Sequence, residues 1–100
     1  SGRTAQMVSE KMNVIGKRHQ VICITHLPQI AAMADVHFLI EKAVIGKNTV
    51  STIRPLTMEE SVSELARMIG GVAITDTVLK SAREMKELAL HEKKSKTEKQ

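Results

Sequence analysis

VICITHLPQIAAMAD, residues 21–35, is the stretch from which the rest of the chain is read. Val21, Ile22, Cys23 and Ile24 form a short apolar run that predicts a central strand buried on both faces, as in parallel sheets, with Cys23 as a small core residue. Thr25 and His26 fall where that strand ends. Leu27-Pro28 then breaks the chain, and Pro28 is suited to open a short helix that carries Gln29 to Ala34. In open α/β sheets ligands bind beyond the carboxyl ends of the strands, so a histidine at that address can reach a substrate. The plainer alternative is that His26 caps a turn or packs beneath the following helix.

Upstream, Ser1 is suited to cap a helix, and Ala5, Val8, Met12 and Ile15 recur at spacings of three and four, marking one apolar face over residues 3–15. Gly16 ends that helix, and Lys17 to Gln20 form a polar turn into the buried run. Downstream, Val36, Phe38 and Ile40 alternate with His37, Leu39 and Glu41, which predicts a strand with Phe38 turned toward the core. Ile45-Gly46-Lys47-Asn48 is the turn, with Gly46 and Asn48 able to adopt positive φ. Thr49 to Arg54, rich in β-branched residues, returns antiparallel, and Pro55 stops the hairpin at the end or edge of the sheet.

Thr57-Met58-Glu59-Glu60 has the capping-box pattern, so a helix is expected to start at Met58. Val62, Leu65, Ala66 and Ile69 give it an apolar stripe, and Gly70-Gly71 terminates it. The glycine pair has no GxxxxGK[ST] context, and a helix C-terminus repels anions, so it is not read as a phosphate loop. Thr75 or Asp76 caps a last helix whose stripe is Val78, Ala82, Met85 and Ala89, widened by Leu79 and Leu88; fraying is expected after His91.

The sequence of 100 residues fits one small domain that buries roughly two-thirds of its unfolded surface. With Phe38 the only aromatic residue, the core must come from aliphatic side chains and six methionines, which pack loosely. A single cysteine excludes a disulfide framework and fits a reducing compartment. The four histidines show no metal-ligand spacing, so no metal site is assigned. Neither a leader pattern nor a long apolar span is visible, so a soluble fragment without a membrane segment is expected. The formal charge of +4 favours an acidic partner. Residues 91–100 hold four Lys against two Glu and no run of apolar residues, which predicts a basic, solvated, disordered tail behind a folded part spanning residues 1–90.

The string THLPQIAAMAD, preceded by an apolar run and followed by VHFLIEK, resembles the switch-histidine region of the RecN family, DNA-repair ATPases related to the SMC and ABC ATPases. The opening SGRTAQMVSEKM looks like the segment that follows the Walker B acidic pair in the same family. The resemblance implies an α/β fold: an incomplete P-loop NTPase head lobe of the ABC/SMC type, with a few strands including a C-terminal β-hairpin, flanked by helices. It implies that His26 is the switch histidine contacting the γ-phosphate, and that Ser1 and Gly2 are the tail of the D-loop. It further implies ATP and Mg²⁺ as cofactors of the full-length protein, with none bound by this chain alone. The implied partners are the remainder of the head, a second head in an ATP-sandwiched homodimer, and DNA during double-strand break repair and recombination, in a bacterial cytoplasm at the nucleoid.

Phosphoryl transfer needs a phosphate cradle, a Mg²⁺ ligand, a group that orients water and donors for the developing charge. No P-loop, LSGG-type signature or strand ending in paired Asp-Glu is present, so this chain by itself is expected to be inactive. A different class of reading is a stand-alone nucleic-acid or protein interaction module built on the hairpin and the basic tail. Aromatic residues for base stacking are lacking apart from Phe38, which argues against the nucleic-acid version. A histidine-dependent enzyme of another kind lacks a partner, since no Ser or Cys nucleophile pattern adjoins His26, and Asp35 lies beyond the next helix.

Overall fold

The computed structural model describes residues 2–98, and the side chains of 2–95. Its elements in chain order are α1 (Gly2–Ile15), α2 (Pro28–Ala32), β1 (Phe38–Ile45), β2 (Asn48–Pro55), α3 (Met58–Gly70) and α4 (Asp76–Glu98). The α/β content and the antiparallel hairpin follow the sequence reading.

The core lies where α2 meets α3 and α4. Its buried members are Ala31, Ala32, Met33, Val62, Leu65, Ala66, Ala82 and Ala89, flanked by Met68, Val78 and Met85. Five of those eight are alanines, which lets helix backbones approach closely. The capping box forms as the sequence predicts: the Glu60 amide donates to Thr57 Oγ1 at 3.2 Å, and the Thr57 amide donates to Glu60 Oε1 at 3.0 Å. Gly71 adopts φ +65°, reversing the chain after α3. A Cβ on Gly70 would stand 3.1 Å from Val78 Cγ1, so the missing side chain is what lets α4 turn back along α3. Arg83 then reaches Glu59 with two hydrogen bonds, which marks α3 and α4 as an antiparallel pair. Thr75 is the cap of α4, its Oγ1 accepting from the Val78 amide.

The hairpin pairs Phe38 with Pro55 through Ile45 with Asn48 and closes on a two-residue turn, Gly46-Lys47. Only Gly46 takes positive φ, the pattern of a type II′ turn, whose twist suits a hairpin. Asn48, expected as a second positive-φ position, is the first residue of β2 instead. The ladder continues at the base, where the Leu56 amide donates to the His37 carbonyl at 2.8 Å.

Several expected placements are overturned. Val21–Ile24 forms no strand, and Ile22 and Ile24 are 84% and 86% exposed. A strand exists only with hydrogen-bonded neighbours, and among the described residues β1 and β2 pair solely with each other. Cys23 is accordingly exposed rather than a core residue. Along β1 only Leu39 is partly buried, on the face opposite to the one expected. Phe38 and Ile40 are exposed, and Leu39 is the residue turned toward α3. On α1 the buried positions are Ala5 and Ser9, whereas Val8 and Ile15 face outward. Small residues allow α1 to lie close to α2, and Ser9 satisfies its hydroxyl locally by donating to the Gln6 carbonyl at 2.7 Å. Ile69, Leu79 and Leu88 are exposed too, so the stripes of α3 and α4 are narrower than predicted.

Helix α4 runs on to Glu98, beyond His91, after which fraying is expected from the sequence. Part of the reason is tertiary: Lys93 Nζ donates to the Ala34 carbonyl at 3.3 Å and pairs with Asp35, tying the expected tail to the core. The remainder of that tail, residues 99 and 100, lies outside the described residues, as does Ser1.

Leu65 is fully buried and Val8 is 43% exposed. Leu65→Ala should therefore lower unfolding stability by about 2–5 kcal/mol, while Val8→Ser should change it by less than about 0.5 kcal/mol; urea titration of the two variants checks both.

Candidate functional site

The corner Thr25-His26-Leu27 is built from local chemistry. Thr25 Oγ1 accepts from the Leu27 amide at 3.0 Å, a side-chain-to-backbone turn that leaves His26 at the bend. Leu27, extended at φ −99° and ψ 120°, is the N-cap of α2, and Pro28 opens the helix as its ring demands. The Leu27 carbonyl accepts from the amides of Ile30 and Ala31, so the corner and the helix are one unit. His26 itself is exposed. It is thus presented at a bend before a helix, not packed beneath it.

Gly2 stands at the same corner: a Cβ there would lie 3.0 Å from Gln29 Nε2, in the first turn of α2. The structure therefore brings the start of α1 against the start of α2, next to His26 in sequence. Two grooves border the core, one of about 500 Å³ between α1, α2 and α4, and one of about 400 Å³ between the hairpin base and α3. His26 lines neither. Among the described residues no cluster of three His, Cys, Asp or Glu side chains could hold a metal ion, and no helix is long and apolar enough to cross a membrane.

A second set of polar residues, which periodicity did not single out, sits at the opposite end of α2. Lys86 is only 6% exposed, and its Nζ lies 3.3 Å from the Ala32 carbonyl and 3.5 Å from that of Ala34. Lys93 reaches the Ala34 carbonyl at 3.3 Å and the Asp35 carboxylate at 3.1 Å. Ammonium groups suit a helix C-terminus, where carbonyls point outward without partners. Burial pushes the Lys86 ammonium below the usual lysine range, the Lys93 charge adds to this, and Asp35 opposes it. Next along the chain, His37 Nδ1 lies 2.7 Å from Ser61 Oγ, fastening the entry of the hairpin to α3. Lys86 was hidden in the sequence because it occupies an inward position on α4, between Ala82 and Ala89, where only a fold can reveal that carbonyls await it.

The hairpin turns Phe38, Ile40, Val44 and Ile53 outward on one face. Phe38 is thus available to solvent, contrary to the sequence reading, but its neighbours are apolar with Lys42 the one cation on that face of β1. Nucleic-acid surfaces combine stacking with many cations, so this face suits burial against protein.

No family model matches the chain. Among curated proteins, it is 46% identical over 85 residues to the DNA repair protein RecN of Bacillus subtilis (strain 168), covering 85% of this chain and 15% of that one. It is 47% identical over 89 residues to the protein of the same name from Halalkalibacterium halodurans, covering 89% and 16% respectively. The chain belongs to the RecN family. To the Rickettsia bellii RecN it is 45% identical over 84 residues, covering 84% of this chain and 15% of the relative. The chain therefore spans about 15% of the length of these RecN proteins.

His37 supplies a pH test of the polar set. Its half-buried ring is held below the ordinary histidine value of 6.5 first by burial and then by the Lys86 charge, with Glu64 opposing. The unfolded chain therefore binds the proton more readily, so stability should be flat in this group above pH about 7 and fall as pH drops from about 6.5 through the lower folded value. His37→Asn should remove that loss; comparing urea midpoints at pH 7.5 and 5.0 in both proteins measures it, and equal losses would rule His37 out as the source.

Proposed function

We propose that this chain is the C-terminal part of a RecN-type ATPase head of the ABC/SMC class, acting in DNA double-strand break repair and recombination, and that it supplies the switch histidine of the ATP site. The observation that carries this reading is the 41–47% identity to DNA repair proteins named RecN across most of the chain. The exposed corner at His26 supports the finer assignment, because a phosphate-sensing side chain has to be presented outward on a fixed backbone.

On this reading one ring N–H of His26 donates to a γ-phosphate oxygen and helps hold the attacking water. A neutral imidazole can do this from either nitrogen while the other fixes its orientation. Gly2, close against Gln29, and Ser1, outside the described residues, would form the tail of the D-loop facing a second head. ATP and Mg²⁺ would be held by the P-loop, signature and Walker B segments of the rest of the head, since this chain contributes no carboxylate beside His26. Val21–Ile24 would become a strand once flanked by neighbours from that remainder, and the outward face of the hairpin would be covered by it. The full-length protein would engage DNA and work in the bacterial cytoplasm at the nucleoid.

The chain alone should show no ATP turnover. In a full-length RecN-family protein carrying it, His26→Ala should lower kcat by ~10²-fold to 10³-fold with folding intact. Unchanged turnover in that variant, measured by phosphate release, would remove His26 from the site.

A further inference from the structure

We infer that Lys86 and Lys93 are positioning residues: two ammonium groups of α4 that grip the C-terminal end of α2 and so fix where His26 stands at its other end. The inference rests on the proposed role of His26, and it assigns a function to side chains that this role does not use.

Helix α2 has five residues and a length of about 7.5 Å, too short to hold itself together. Its apolar anchors are Ala31, Ala32 and Met33, and the two alanines offer little surface. Against α3 and α4 such a rod can slide or tilt at small cost in buried area. The directional bonds come from α4. Lys86 Nζ bridges the carbonyls of Ala32 and Ala34, and Lys93 bridges the Ala34 carbonyl and Asp35. These two lysines lie seven positions apart on α4, so they reach the end of α2 from one face, about two turns from each other.

A buried ammonium is a poor way to gain stability, since apolar residues of like volume in such places are often neutral or better. What it adds is direction: carbonyls must stay within hydrogen-bond reach of a fixed point. Because the Thr25-His26-Leu27 corner is bonded into the first turn of α2, any tilt about the clamped end moves His26. A displacement of about 1 Å at a reacting centre can cost roughly 10²-fold in rate.

The test uses a full-length RecN-family protein carrying this chain, with ATP turnover and backbone hydrogen exchange as readouts. Lys86→Met should lower kcat by about tenfold while leaving KM for ATP within about twofold, and Lys86→Arg should recover most of the loss. Amides of residues 30–34 should exchange about tenfold faster in Lys86→Met, with those of 62–66 unchanged. Asp35→Asn, at a well exposed carboxylate, should shift both readouts the same way by a smaller amount and guards against a folding failure in the first variant. Unchanged kcat and unchanged exchange at 30–34 in both variants would overturn the proposal, as would exchange that rises equally at 62–66 in Lys86→Met with Asp35→Asn inert. If His26→Ala leaves kcat intact, the reading of His26 fails separately, and exchange at 30–34 still decides whether the lysines hold α2.

Discussion

The buried core of this chain is the contact of α2 with the α3–α4 pair. That contact is made of alanines around one leucine, one valine and one methionine, so it is close rather than extensive. Gly70 extends the same logic at the α3–α4 turn, where any side chain would push against Val78. With little apolar area to spend, the fold completes the joint with polar bonds: Lys86 and Lys93 to the end of α2, and His37 to Ser61.

The exposed ion pairs do much less. Arg54 with Glu60 and Arg83 with Glu59 lie at the surface, where solvent screening leaves little net stabilisation. Their use is geometric, since Arg54 ties β2 to the first turn of α3 and Arg83 ties α4 to the same turn. The capping box shares Glu60 with Arg54, so helix start and hairpin base are joined through one carboxylate.

Away from that joint the molecule is open. Ile22, Ile24, Val44 and Ile53 are all largely exposed, and the radius of gyration, 14.8 Å, exceeds the roughly 13 Å of a compact domain of 100 residues. Such surface accords with a chain that spans about 15% of its RecN relatives. The proposed assignment accounts for it as area covered in the longer protein.

Local signals were legible wherever their cause was local. The capping box at Thr57, the glycine turn after α3, the Gly46 reversal, Thr75 at the head of α4, and Pro28 opening α2 each depend on residues within a few positions, and the structure has them all. Family membership, too, was readable from the order of residues in THLPQIAAMAD. Burial was another matter. Apolarity says that Val21–Ile24, Phe38 and Val8 can be covered, but only neighbouring elements determine whether they are, and here those sides face solvent. The inward turn of Lys86 is the converse case, a polar residue drawn into the core by carbonyls that sit more than fifty positions away along the chain. Short-range stereochemistry was therefore written in the sequence, while which faces meet, and with them the bonds from Lys86 and Lys93 to the end of α2, followed from contacts that only the assembled chain creates.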